Sequence, residues 1–128
     1  MTKNYFAMQW HITDKCDQRC KHCYIFAGED KLYSPEFDLP ILKEIFFDFL
    51  ATCKKMDKRP SISVTGGDPL LHKDVWSLLA LFKEYNVPFA ILGNSFHLNE
   101  NVAKQLKELG CTTYQMSLDG LKETHDFI

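Results

Sequence analysis

Residues Phe6 to Thr13 alternate, with Phe6, Met8, Trp10 and Ile12 on one side and Gln9, His11 and Thr13 on the other. A period of two predicts a strand. From Asp38 the period becomes helical. Leu42, Ile45, Phe46, Phe49, Leu50 and Cys53 form an apolar stripe, Asp38 is the expected cap, and Pro40 falls in the first turn. Ser61 to Thr65 is short and β-prone and is broken by Gly66-Gly67-Asp68-Pro69. A second helix is predicted from about Asp74 to Tyr85, burying Val75, Leu78, Leu79 and Phe82. Pro88 to Leu92 reads as a third strand, ended by Gly93-Asn94-Ser95. Asn99 caps a third helix carrying Val102, Leu106 and Leu109, and Gly110 stops it. Thr113 to Leu118 reads as a fourth strand, and Asp119-Gly120 turns out of it.

Strands alternating with helices predict an α/β fold of parallel strand-helix repeats. Chemistry in such folds gathers at the carboxyl ends of the strands. Every unusual segment falls there: the loop after the first strand, the Gly66 to Pro69 break, Gly93 to Ser95, and Asp119-Gly120. Strands covered on both faces read as unbroken apolar runs. Here three strands keep a polar face instead: Gln9/His11/Thr13, Ser61/Ser63/Thr65 and Gln115/Ser117. With helices on the apolar side, those polar faces line a concave interior suited to a polar ligand.

The loop after the first strand, running through about Ser34, carries Cys16, Cys20 and Cys23. Three thiolates can hold three irons of a cubane [4Fe-4S] cluster and leave the fourth open, whereas electron carriers usually take four cysteines. The same loop offers Asp17 and His22, so a zinc ion is an alternative. His22 lies awkwardly between two of the cysteines, and no second knuckle is present. An odd cysteine count of five and no signal-peptide pattern argue against disulfides. Cys53 belongs to a helical stripe, and Cys111 reads as buried structure. His72, His97 and His125 have no partner assignable from sequence.

Composition adds little. The 128 residues suit one domain or part of one, and a hydrophobic share of 45% can build a core. A net charge of −2 gives no basic surface for nucleic acid, and no apolar run approaches the roughly 18 residues of a membrane span. The expected location is the cytoplasm.

The pattern Cys16-x3-Cys20-x-His22-Cys23 after the first strand, with Gly66-Gly67-Asp68-Pro69 after the second, resembles the radical S-adenosylmethionine (radical SAM) superfamily over essentially the whole chain. The resemblance implies that Cys16, Cys20 and Cys23 ligate a [4Fe-4S] cluster whose open iron chelates the methionine part of SAM. It places His22 near adenine, and Gly66, Gly67 and Asp68 at the SAM amino group. It puts Asn94 at a polar position after strand three, and Ser117 and Asp119 on strand four near ribose or carboxylate. It implies reductive cleavage of SAM to a 5′-deoxyadenosyl radical that abstracts hydrogen from a substrate. The electron comes from an external one-electron donor such as flavodoxin or ferredoxin.

The family core is a three-quarter, TIM-like barrel of six strand-helix units, of which four strands are present. Residues 1–128 are therefore expected to be a radical SAM core incomplete on its C-terminal side, from a longer protein or one needing a partner. The first strand and Gly66 to Pro69 also resemble members with a cysteine-rich C-terminal extension, which often modify ribosomally made peptides. The competing reading is a non-catalytic iron-sulfur or zinc-binding module.

Overall fold

A computed structural model describes residues 4–26 and 34–128. Residues 27–33 of the predicted cysteine loop lie outside the described residues. The elements run β1 (Tyr5–Thr13), α1 (Leu39–Lys55), β2 (Arg59–Gly66), a 3-10 turn (Pro69–Leu71), α2 (Val75–Glu84), β3 (Phe89–Leu92), α3 (Glu100–Glu108), β4 (Cys111–Gln115) and α4 (Lys122–Phe127). The four strands form one sheet in the order β1-β2-β3-β4, every pair parallel. Each returns to its neighbour through a helix, as the alternating periods predict.

Alternation along the strands separates the two faces. Trp10, Ile12, Ile62, Val64, Phe89 and Ile91 are buried against Leu42, Phe46, Phe49 and Cys53 of α1 and Val75, Leu78, Leu79 and Phe82 of α2. Phe82 is central, its ring lying 5.2 Å from Phe46, 5.6 Å from Phe89 and 6.4 Å from Trp10. Register places Gln9 beside Ser63, Ser63 beside Ala90, and Ala90 beside Thr113 on the opposite face. Gln9, His11, Thr113 and Gln115 are exposed there, so helices cover the apolar face and leave the polar one open. Thr13 is the exception: it is 3% exposed, and its hydroxyl donates to Glu36.

Three predicted details change. β4 covers Cys111–Gln115 rather than Thr113 to Leu118. A strand extends only as far as its partner, and β3 stops at Leu92, opposite Gln115. Ser117 therefore follows the strand in a loop, and Cys111 is half-buried rather than fully buried. Asp38 holds the N-cap position of α1, but its side chain pairs with Lys73 Nζ at 2.6 Å. The cap comes from Asp74, whose Oδ2 accepts the Leu39 N–H at 3.1 Å. Asn99 caps α3 as predicted, accepting the Val102 N–H at 3.0 Å, and Gly110 follows that helix at φ +95°.

Candidate active site at the carboxyl edge of the sheet

β1 delivers the cysteine loop to the carboxyl edge, and two acidic groups close its neck. Asp14 Oδ2 accepts the Ser34 N–H at 2.9 Å, which holds its carboxyl below the usual carboxylate range. Burial opposes ionisation of Glu36, but hydrogen bonds from Thr13 and Lys15, the latter at 3.1 Å, outweigh it and depress that carboxyl. Residues on either side of the loop are thus tied together.

The glycine pair docks β2 against the root of the loop. Gly67 N–H donates to Thr13 O at 2.9 Å, and Asp68 N–H donates to Lys15 O at 2.7 Å. A Cβ at Gly66 would lie 2.3 Å from Thr13 O, and one at Gly67 2.3 Å from Lys15 O. Only residues without a side chain allow that approach.

An open cavity of about 360 Å³ results. Its lining includes Cys16, Cys20 and Cys23, with His22, Gly66, Gly67, Asn94, Ser117 and Asp119. Nine of the ten residues singled out from sequence thus line one cavity. Asp68 is the tenth, and it lies behind the lining, next to Gly67. It is 0% exposed, its Oδ1 accepts the Leu70 N–H at 3.1 Å, and its Oδ2 has no hydrogen-bond partner among the described residues. Burial raises its pKa, and the Asp17 charge adds to that.

All three loop cysteines are free thiols. Cys20 O accepts the Cys23 N–H at 3.0 Å, a turn that sets the second and third thiols. Cys16 Sγ faces two N–H donors, the Gln18 backbone at 3.4 Å and Asn94 Nδ2 at 3.5 Å. Burial nonetheless pushes its thiol up. The triad is not gathered as around one ion. Among the described residues, the group whose ligand atoms lie within 4.8 Å of one another is Asp17, Asp68 and His97. Thiolates on a single zinc, with bonds of about 2.3 Å, would sit about 3.8 Å apart.

The histidines find partners that sequence did not reveal. His22 Nε2 lies 3.5 Å from Asp119 Oδ1, and His125, a cavity residue on α4, accepts the Asp119 N–H at 3.3 Å. His97 Nε2 lies 2.7 Å from Asp17 Oδ2. His72 is buried. Its Nδ1 accepts the Asp74 N–H, so Nε2 carries the proton and donates to Phe37 O at 3.1 Å. Sequence reading also missed Gln18, Thr65, Gln115 and Met116 of the lining. Thr65 and Gln115 were already on the predicted polar faces; nothing marked Gln18 or Met116.

A sequence model of the Radical SAM superfamily matches residues 10–128. The chain belongs to that superfamily. It is 32% identical over 117 residues to Fe-coproporphyrin III synthase of Methanosarcina barkeri, covering 91% of this chain and 28% of that protein. It is 33% identical over 120 residues to GTP 3′,8-cyclase of Campylobacter jejuni subsp. doylei, covering 92% of this chain and 35% of that one. The chain therefore spans about a third of the length of these relatives. Its fold matches that of BtrN, solved in complex with AdoMet and 2-DOIA, with a TM-score of 0.71 and 22% identity, over 99% of this chain and 50% of that one. Four parallel strands alternating with helices thus form part of the family's barrel. No helix among the described residues is long and apolar enough to cross a membrane.

Proposed function

We propose that this chain holds a [4Fe-4S] cluster through Cys16, Cys20 and Cys23 and binds SAM beside it. The observation that carries the reading is the convergence of three free thiols and the Gly66-Gly67 backbone on one cavity at the carboxyl edge of a parallel sheet. The residues fit such a group: the thiols are spread beyond a single-ion set, and N–H donors already face Cys16 Sγ. When bound, the cluster supplies the electron that cleaves SAM reductively, giving a 5′-deoxyadenosyl radical that abstracts hydrogen from a substrate.

The chain's own residues bind and orient. His22 and Asp119 stand at the rim, where ring stacking and a carboxylate acceptor suit an adenosine. Gly66 and Gly67 keep the wall flat enough for the methionine part of SAM. Asn94 and Ser117 offer polar groups from the loops after β3 and β4. Asp68 acts from behind the wall, holding the turn that follows the glycines.

Relatives with similar cores are named for a nucleotide cyclization and a porphyrin synthesis. The core therefore serves several substrate classes. For this chain we propose a ribosomally made peptide, on the resemblance of β1 and Gly66 to Pro69, with a flavodoxin or ferredoxin as electron donor in a reducing cytoplasm. Anaerobic reconstitution with iron, sulfide and dithionite, followed by assay for 5′-deoxyadenosine from added SAM, tests the reading. Roughly four irons with four sulfides and release of 5′-deoxyadenosine are expected. One zinc per chain and no cluster would favour the metal-module reading instead.

A further inference from the structure

Asn94 sits where β3 gives way to its loop, and its amide orientation is fixed at both ends. Oδ1 accepts the Phe96 N–H at 2.9 Å, which identifies the oxygen. Nδ2 is thereby left facing Cys16 Sγ at 3.5 Å. The backbone beneath is pinned as well. Tyr114 Oη donates to the Asn94 carbonyl at 2.6 Å, and Gly93 N–H donates to Gln115 O at 3.0 Å. A Cβ at Gly93 would lie 3.2 Å from Tyr114 Oη and 3.3 Å from Asp68 Oδ1, so this peptide has little room to shift. Cys20 Sγ meets a different environment, with the acceptor Gln18 Oε1 at 4.0 Å.

We propose that Asn94 tunes the reduction potential of the cluster by donating an N–H···S bond to the Cys16 thiolate, with Tyr114 as the residue that positions it. The proposal rests on the reading of Cys16 as a cluster ligand. One electron passes from a low-potential one-electron donor to the oxidised cluster; no covalent bond forms or breaks, and no proton moves. The added negative charge is shared with the ligating sulfurs. An N–H aimed at one of them stabilises the reduced state more than the oxidised one, and hydrogen bonds to sulfur are among the levers that set such potentials. Asn94 therefore makes the cluster easier to reduce.

Asn94→Asp is the sharpest test. It keeps the oxygen that accepts from Phe96 and replaces the N–H donor with a second acceptor of the same shape. The unsubstituted protein, Asn94→Asp, Asn94→Ala and Tyr114→Phe are reconstituted and titrated without SAM, using dithionite and mediators, with the reduced cluster read by electron paramagnetic resonance. At a fixed poise Asn94→Asp should lower the reduced-to-oxidised ratio about tenfold, equivalent to about 59 mV for a one-electron couple. Asn94→Ala, which removes the donor without adding charge, should lower it by about threefold. Tyr114→Phe should move it the same way by less, with iron and sulfide content unchanged throughout. Equilibrium dialysis against SAM completes the test. An unchanged potential in Asn94→Asp with weakened SAM binding would overturn the proposal and leave Asn94 as a SAM contact. Failure of the unsubstituted protein to assemble any cluster would remove the underlying reading as well.

Discussion

Cys20 and Asp68 show how differently two residues of one site contribute. Cys20 lines the cavity, and among the described residues its thiol makes only a long contact, 4.0 Å, to the Gln18 amide. Cys20→Ala should abolish cluster assembly, read as loss of bound iron and sulfide, while the melting temperature of the apo-protein stays within a few degrees. Asp68 is buried, and one of its oxygens has no hydrogen-bond partner among the described residues. Burial raises its pKa above the usual carboxylate value, so between that value and the raised one the folded state holds more protons than the unfolded. Its contribution to stability therefore falls as pH rises through that window. Asp68→Asn keeps the oxygen that caps the turn and removes the buried charge. It should stabilise the apo-protein by about 1 kcal/mol at pH 7. That gain should shrink on acidification, as measured by thermal melts at pH 7 and pH 4. The cysteine triad was legible because spacing is a local property. The burial of Asp68 was not, because it is set by the loops after β1 and β3 that close over it.

Among the elements, boundaries set by local pattern held, and those set by distant partners moved. Helical stripes located α1, α2 and α3, and a side-chain cap placed Asn99. The cap of α1 could not be read locally, because Asp74 reaches it from 35 residues away. Asp74→Ala should therefore loosen the first turn of α1 rather than the helix it precedes. The expected cost is about 1 kcal/mol, with faster amide exchange at Leu39. Protection that changes only in α2 would contradict the assignment. The end of β4 shifted for a similar reason, since the length of β3 decides where its neighbour can pair. The neck formed by Asp14 and Glu36 also joins residues some 20 positions apart, which no periodicity reveals.

For the whole molecule, the apolar core lies between the sheet and its helices, and the ring of Phe82 bridges both helices and two strands. Phe82→Ala should cost about 3–5 kcal/mol, measured by chemical denaturation. A smaller loss would show that the aromatic cluster repacks around the gap. Architecture was largely legible because a period of two and a period of 3.6 alternate cleanly along the chain. That one face of the sheet stays uncovered was legible too, from polar residues where a doubly covered sheet would have carried apolar ones.

That division along each strand has a consequence for change over time. Trp10, Val64 and Ile91 answer to the helices, while Thr65, Leu92 and Gln115, at the carboxyl ends of their strands, answer to the cavity. Adjacent residues of one strand are thus under separate demands. A library randomised at the second set alone can explore new ligand preferences without disturbing the first. One scaffold can in this way acquire many specificities while its folding stays the same.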